Sequence, residues 1–148
     1  MKLARVPSRR ERGHAVLEAT LLLPWLLLVF VGVFDLGFYN YSLIAAENAA
    51  RVAVWYTSQN TATATDSATA CTYVLAELQA LPNVGTAVNT CSAAPVEVTA
   101  ALVNTGADGA KASQVTVTYT SPQLIPVPAA MPGQYTVRRT VEMRLVTQ

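Results

Sequence analysis

Apolar side chains fill one long unbroken run near the start of the chain. Between Ala19 and Phe34 the sequence holds no charged residue and almost no polar atom. Extended back to His14, the run is about 21 residues long, and a helix of that length crosses the roughly 30 Å hydrocarbon core of a bilayer. The pattern therefore predicts one membrane-spanning helix.

The segment before this run is basic. Its first 13 residues contain five cations and one acid: Lys2, Arg5, Arg9, Arg10, Arg12 and Glu11. Because cationic flanks stay on the cytoplasmic side, we expect a single-pass protein of the inner (cytoplasmic) membrane with its N-terminus inside. Pro7 and the scarcity of apolar residues predict an extended leader. The alternative is a secretory signal peptide, kept open by Ile44 and Ala46, although no small-x-small cleavage site closely follows the run.

The helical pattern continues beyond the membrane. Glu47 and Arg51 stand four residues apart, where we expect a solvated pair. An apolar stripe recurs at spacings of three or four residues: Tyr41, Ala45, Ala49, Val52 and Tyr56. This helical spacing predicts one helix from His14 to about Tyr56, so that residues 14–57 form a membrane and stalk segment.

A second, shorter helix is predicted after a linker rich in threonine and serine. Thr65 or Asp66 can cap its start, and it ends before Pro82. The face of this helix that we expect to be buried carries Cys71, Val74, Leu75 and Leu78.

The two cysteines, Cys71 and Cys91, predict a structural disulfide, because they lie outside the membrane in an oxidising compartment. The alternative is a redox or metal site. The sequence does not support such a site, because it has no Cys-x-x-Cys motif and its only histidine is His14 at the membrane end. We therefore expect no metal and no cofactor.

After Pro95 the hydrophobic period changes from helical to two. Residues 104–109 have turn composition, which favours an antiparallel meander. Residues 58–148 are therefore predicted to form an extracytoplasmic head, and the fold class is α+β, with a long N-terminal helix, a short second helix and a small antiparallel sheet. The alternating apolar positions are Val96, Val98, Ala100, Val115, Val117, Tyr119, Tyr135, Val137, Val141, Met143 and Leu145.

Arg139 interrupts the apolar side of the last predicted strand. It either pairs with an acid such as Glu97 or Glu142, or lies at a sheet edge where charge blocks unwanted strand pairing. We favour the edge.

The segment 121–133 carries four prolines, so it cannot form a central strand or a helix. It is either a partner-contact loop or a cover for the core of the head. Its apolar side chains are Leu124, Ile125, Val127 and Met131.

Glu18 is a carboxylate near the start of the membrane helix, where charge is costly and usually functional. Gly13 precedes it by five residues. Cleavage between Gly13 and His14 would create an α-amino group able to pair with Glu18 of a neighbouring helix. The acid would then set the register between assembled subunits.

Three other residues predict local features of the span. Pro24 removes a helix hydrogen bond and favours a kink. Gly32 and Gly37 either let neighbouring backbones approach or permit local unwinding. The sequence does not choose between these two uses.

Six residues in the span and just before it have an informative spacing: Gly13, Glu18, Pro24, Gly32, Asp35 and Gly37. This spacing, followed by an alanine-rich segment, resembles TadE-like proteins, which are minor pilins or pseudopilins of the tight-adherence (Tad/Flp) type IV pilus system. The resemblance covers about residues 12–54. It implies cleavage after Gly13 by a membrane prepilin peptidase, and then incorporation into a pilus or priming of its assembly. The chain departs from the family pattern at Ala19, where relatives usually carry an aromatic residue.

Composition narrows the functional classes. At 148 residues and 52% hydrophobic, the chain allows one small domain beside the span. Net charge is +1, but it is +4 for residues 1–13, so the rest is mildly acidic and unsuited to nucleic acid. The acids of the head are scattered without a catalytic motif, so we expect no enzyme. A minor pilin is favoured over an uncleaved, membrane-tethered binding module. The expected partners are the prepilin peptidase, other major and minor pilins, the Tad assembly platform and the bilayer.

Overall fold

The computed structural model describes residues 9–105, 109–122 and 134–146. The chain divides into two compact units, Met1–Gly37 and Phe38–Gln148. This boundary falls inside the first helix, and the predicted division into leader, helix and head stays a prediction. The elements are helix α1 (Arg9–Thr57), a 3₁₀ turn (Thr63–Thr65), helix α2 (Ser67–Leu78) and strands β1 (Ser92–Ala93), β2 (Val96–Thr105), β3 (Ala110–Thr120) and β4 (Thr136–Arg144).

The α+β class is confirmed, with a long N-terminal helix, a short second helix and a four-stranded antiparallel sheet. The start of α1 differs from expectation. The helix begins at Arg9 instead of His14, so the prediction of an extended leader is wrong for residues 9–13. Arginine and glutamate are good helix formers, and they extend the membrane helix backwards. Residues 1–8 lie outside the described residues.

The buried face of α1 between Phe38 and Thr57 also differs from the predicted stripe. Of the predicted residues, Ala49 is fully buried, whereas Tyr41 is 51% exposed. Small side chains let the helix backbone lie close to its neighbours, and most of the buried residues along this face are small. They are Ser42, Ala46, Ala49, Ala50, Ala53, Val54 and Thr57.

The sheet has the order β1-β2-β3-β4, and every neighbouring pair is antiparallel. Thr105 pairs with Ala110 across the first predicted turn, of which residues 106–108 lie outside the described residues. The period of two holds in β2, where Val96 and Val98 are buried while Glu97 and Thr99 are exposed. Beyond Pro122, residues 123–133, with the predicted contact side chains Leu124, Ile125, Val127 and Met131, lie outside the described residues.

Helix α2 supplies the remaining layer of the core. Its buried side chains Cys71, Val74 and Leu78 join one hydrophobic cluster with β2, β3 and the alanines of α1. Asp66 caps the helix, since its carboxylate accepts a 3.0 Å hydrogen bond from the N–H of Thr69. One of the two predicted caps is therefore confirmed, and so is the buried face, except that Leu75 is only partly buried.

Candidate functional site

The predicted processing residues lie on one continuous stretch of α1. Gly13, His14 and Glu18 are all within the helix, and the side chains of His14 and Glu18 are exposed. A separation of four residues places His14 and Glu18 on the same side of the helix, about 6 Å apart along its axis. The structure shows only that these residues share one helix, so cleavage after Gly13 and pairing between subunits stay predictions.

The segment after Glu18 presents apolar side chains on every side. Among the described residues, one helix is long and apolar enough to cross a membrane, Val16–Thr57, and its most apolar stretch buries nothing within the chain. A helix that is apolar all round fits a lipid environment. Residues more than half exposed include Leu17, Leu21, Leu26, Phe30 and Val33.

Pro24, Gly32, Asp35 and Gly37 all lie within α1, which is assigned without interruption through them. Pro24 has no N–H, so it cannot make the usual helical hydrogen bond. A Cβ at Gly37 would meet no atom of this chain within 4 Å, so the fold itself does not require glycine there. Asp35 is buried.

The disulfide Cys71–Cys91 is present, with an S–S distance of 1.99 Å. It joins α2 to the segment before β1, and both cysteines belong to the hydrophobic core. Closing a loop of this size contributes about 3 kcal/mol on a chain-entropy estimate. Within the described ranges, no group of three or more His, Cys, Asp or Glu side chains could hold a metal ion.

Asp66 stands at a junction of α1 and α2. A hydrogen bond from the N–H of Thr69 lowers the pKa of the Asp66 carboxyl below its ordinary value of 3.8, because the bond stabilises the charged carboxylate. The Tyr56 hydroxyl lies 3.5 Å from the other carboxylate oxygen. The Tyr56 ring contacts that of Tyr73 at a centroid distance of 5.2 Å.

Tyr119 anchors the far end of β3. Its hydroxyl lies 3.0 Å from the carbonyl of Pro82 and 3.0 Å from the side-chain oxygen of Asn83. Asn83 adopts a left-handed backbone with φ of 63° and donates in turn to the carbonyl of Thr120. Burial raises the pKa of Tyr119 to about 12. Sequence reasoning missed this contact, because Tyr119 lies more than 30 residues from Pro82 and Asn83 in the chain.

Arg139 lies on β4, which is an edge of the sheet, as predicted. Its backbone pairs with Val117, on the core-facing side of the strand. The Nε atom is buried and has no hydrogen-bond partner in the described part of the chain. Of the acids predicted as alternatives, Glu97 is on β2, two strands away, and Glu142 accepts a hydrogen bond from the side chain of Gln114 on β3.

Residues 13–55 match the family model described as TadE-like protein. The N-terminal segment is TadE-like. The match confirms the resemblance and nearly coincides with the range on which it was based. The match covers 43 of the 148 residues. Comparison with curated proteins and with solved structures gives no match.

Proposed function

We propose that this chain is a minor pilin, or pseudopilin, of a Tad/Flp pilus. In this proposal a prepilin peptidase cuts after Gly13, and the mature chain takes part in assembling a pilus for surface adherence. The TadE-like match carries the proposal, because it begins at Gly13 and covers both Glu18 and the whole apolar segment. The apolar helix and the small disulfide-bonded head support it.

Before processing, the apolar stretch of α1 holds the chain in the inner membrane. The basic leader stays in the cytoplasm and the head lies outside. Cleavage removes the leader's +4 charge and leaves a new cation, the α-amino group of His14, four residues before Glu18. A buried carboxylate is stabilised when a cation pairs with it, so Glu18 favours contact with a neighbouring mature subunit. Assembly then brings in the other major and minor pilins and the Tad platform.

The first test is the N-terminus of the mature protein. The full chain is expressed with its prepilin peptidase, and intact mass and N-terminal sequencing are measured on membrane fractions. We expect a chain that begins at His14. A Gly13→Leu variant and cells without the peptidase should both give the uncut chain.

Two other results of this measurement would contradict the proposal, and each would favour a different type of protein. A wild-type chain that keeps its leader in the presence of an active peptidase would contradict processing and favour an uncleaved, membrane-tethered binding module. A start near Glu47 would instead indicate a secreted domain with a removed signal peptide.

The pairing role of Glu18 is tested separately. Glu18→Ala should insert into the membrane normally but co-purify poorly with the other pilins, because the pairing carboxylate is gone. Thr20→Ala is the matched control, since it removes an exposed polar group two residues further on, and it should co-purify normally. Co-purification of Glu18→Ala at wild-type levels would contradict the pairing role.

A further inference from the structure

The edge strand β4 has outward-facing backbone hydrogen-bonding groups, and it carries Arg139, whose buried Nε has no hydrogen-bond partner among the described residues. The N–H of Leu145 bonds to the carbonyl of Lys111, and the N–H of Ser121 bonds to the carbonyl of Tyr135. In an antiparallel pair these bonds alternate, so odd-numbered residues of β4 bond to β3 and even-numbered residues direct their N–H and C=O outward. Within the described ranges, the outward backbone groups of Thr136, Arg138 and Thr140 have no partner.

The two edges of the sheet differ in length. The opposite edge, β1, is two residues long, whereas β4 has nine residues. A strand of nine residues with outward hydrogen-bonding groups can accept a further strand, which is the mode called β-augmentation. The longer edge is therefore the one that can bind an extended segment.

The charges along β4 indicate what kind of segment it accepts. Arg138 and Arg139 are adjacent, so their side chains lie on opposite faces of the sheet. Arg138 is exposed, and Arg139 keeps a buried Nε that lacks an acceptor. Buried polar atoms are almost always hydrogen-bonded, so an orphan Nε needs an explanation. A carboxylate is the acceptor that matches the fork of donors on an arginine.

Among the described residues, no carboxylate accepts a hydrogen bond from the Nε of Arg139. The Pro-rich segment 123–133 contains no Asp or Glu. A second copy pairing through its own β4 would not supply one either, since the core-facing side of that strand carries no acid. Its side chains there are Val137, Arg139, Val141, Met143 and Leu145.

We propose that β4 binds an extended acidic segment of another protein, with adjacent carboxylates that pair with Arg138 and Arg139, one on each face. The incoming strand satisfies the outward backbone groups, and its core-facing acid pairs with the accessible part of the half-buried Arg139 guanidinium. Opposite charges directly across neighbouring strands stabilise the pair. The same two arginines disfavour a neutral or basic strand, so the edge selects its partner. This inference concerns the head and does not depend on cleavage after Gly13.

The test uses the full chain in detergent and two labelled peptides. Each peptide has about ten residues of alternating Val and Thr, the length of a typical long strand, with either Glu-Glu or Gln-Gln at its centre. Binding is followed by fluorescence anisotropy. We expect the Glu-Glu peptide to bind about tenfold more tightly, because hydrogen bonds to charged groups are stronger.

Three variants separate the contributions. Arg139→Gln should remove most of the preference for Glu-Glu. Lys111→Gln removes the same charge from an exposed position on β3 and should keep the preference. Thr140→Pro removes one outward N–H without touching a bond to β3, so it should weaken both peptides while the Cys71–Cys91 bridge and the circular dichroism spectrum stay unchanged.

Several results would overturn the proposal. They are equal affinity of the wild-type chain for both peptides, no binding of either peptide, or a preference for Glu-Glu that survives Arg139→Gln. Symmetric disulfide dimers of a Thr140→Cys variant would show that a second copy occupies the edge instead, and would overturn it as well.

Discussion

Ser113, on the central strand β3, donates a 2.7 Å hydrogen bond from its hydroxyl to the hydroxyl oxygen of Thr57, near the end of α1. Both residues are fully buried. Thr57 donates in turn to the carbonyl of Val54, at 3.3 Å. A buried relay of this kind fixes the last turn of α1 on the middle of the sheet, because neither hydroxyl can exchange its partner for water.

Thr57→Val removes the acceptor while keeping the shape of the side chain. We expect it to lower the free energy of unfolding by about 1–3 kcal/mol, since the Ser113 hydroxyl then has only the carbonyl of Ala64, at 3.5 Å. Urea unfolding of the full chain in detergent, followed by near-UV circular dichroism, measures this loss. Thr99→Val is the control on an exposed position of β2, and it should stay within about 0.5 kcal/mol of wild type.

A double-mutant cycle tests whether the two hydroxyls interact. Ser113→Ala combined with Thr57→Val should cost less than the sum of the single changes, because removing both partners leaves no unsatisfied group. Strict additivity of the two changes would mean that the 2.7 Å contact contributes nothing to stability.

The sequence allowed the order and type of the elements to be predicted, because each depends on local pattern. The membrane helix depends on an unbroken apolar run, and the strands depend on a period of two. The face of α1 that meets the head could not be predicted in this way. Alanine and serine are only weakly hydrophobic, so a hydrophobic pattern gives little signal for this face, whose buried residues are mostly small, such as Ala46 and Ala50.

The candidate sites also differ in whether their residues are close together in the sequence. Gly13, His14 and Glu18 are close in sequence, so their spacing along one helix could be predicted, and so could the disulfide from a count of two cysteines. The relay from Ser113 to Thr57 joins residues far apart in the chain. Nothing in a linear pattern indicates which of many hydroxyl groups will meet after folding.

Asp66 predicts a pH dependence of head stability. Because its pKa is lowered in the folded state, its charged form contributes stability that is present above the unfolded value of 3.8 and is lost as the pH falls through the lower folded value. Asp66→Asn keeps a capping acceptor without the charge. The difference in unfolding midpoint between wild type and Asp66→Asn should therefore be largest near neutral pH and shrink below about pH 4.

The measurement is urea unfolding of both chains from about pH 7 down to about pH 2.5. Asp66→Ala is the companion variant, because it lacks the acceptor as well as the charge, so part of its deficit should persist at low pH. A difference between wild type and Asp66→Asn that does not change with pH would show that the carboxylate charge contributes nothing to the cap.

Ala50 tests the close packing of α1 in the head. It is fully buried. Protein interiors are close-packed, so we expect a larger side chain there to displace the helix or the residues around it. Ala50→Leu should lower the free energy of unfolding by about 1–3 kcal/mol, although leucine is the more hydrophobic residue and only a slightly poorer helix former. Urea unfolding of the full chain in detergent measures the change.

Asn48→Leu introduces the same side chain two residues earlier, on an exposed part of the same helix, and should change stability by no more than about 0.5 kcal/mol. The comparison separates size from hydrophobicity. If hydrophobicity governed this part of α1, Ala50→Leu would stabilise the head by burying more apolar area. A stabilised or unchanged Ala50→Leu variant would therefore contradict close packing of the alanine face. A loss confined to Ala50→Leu would explain why this helix carries alanines where it meets its own head.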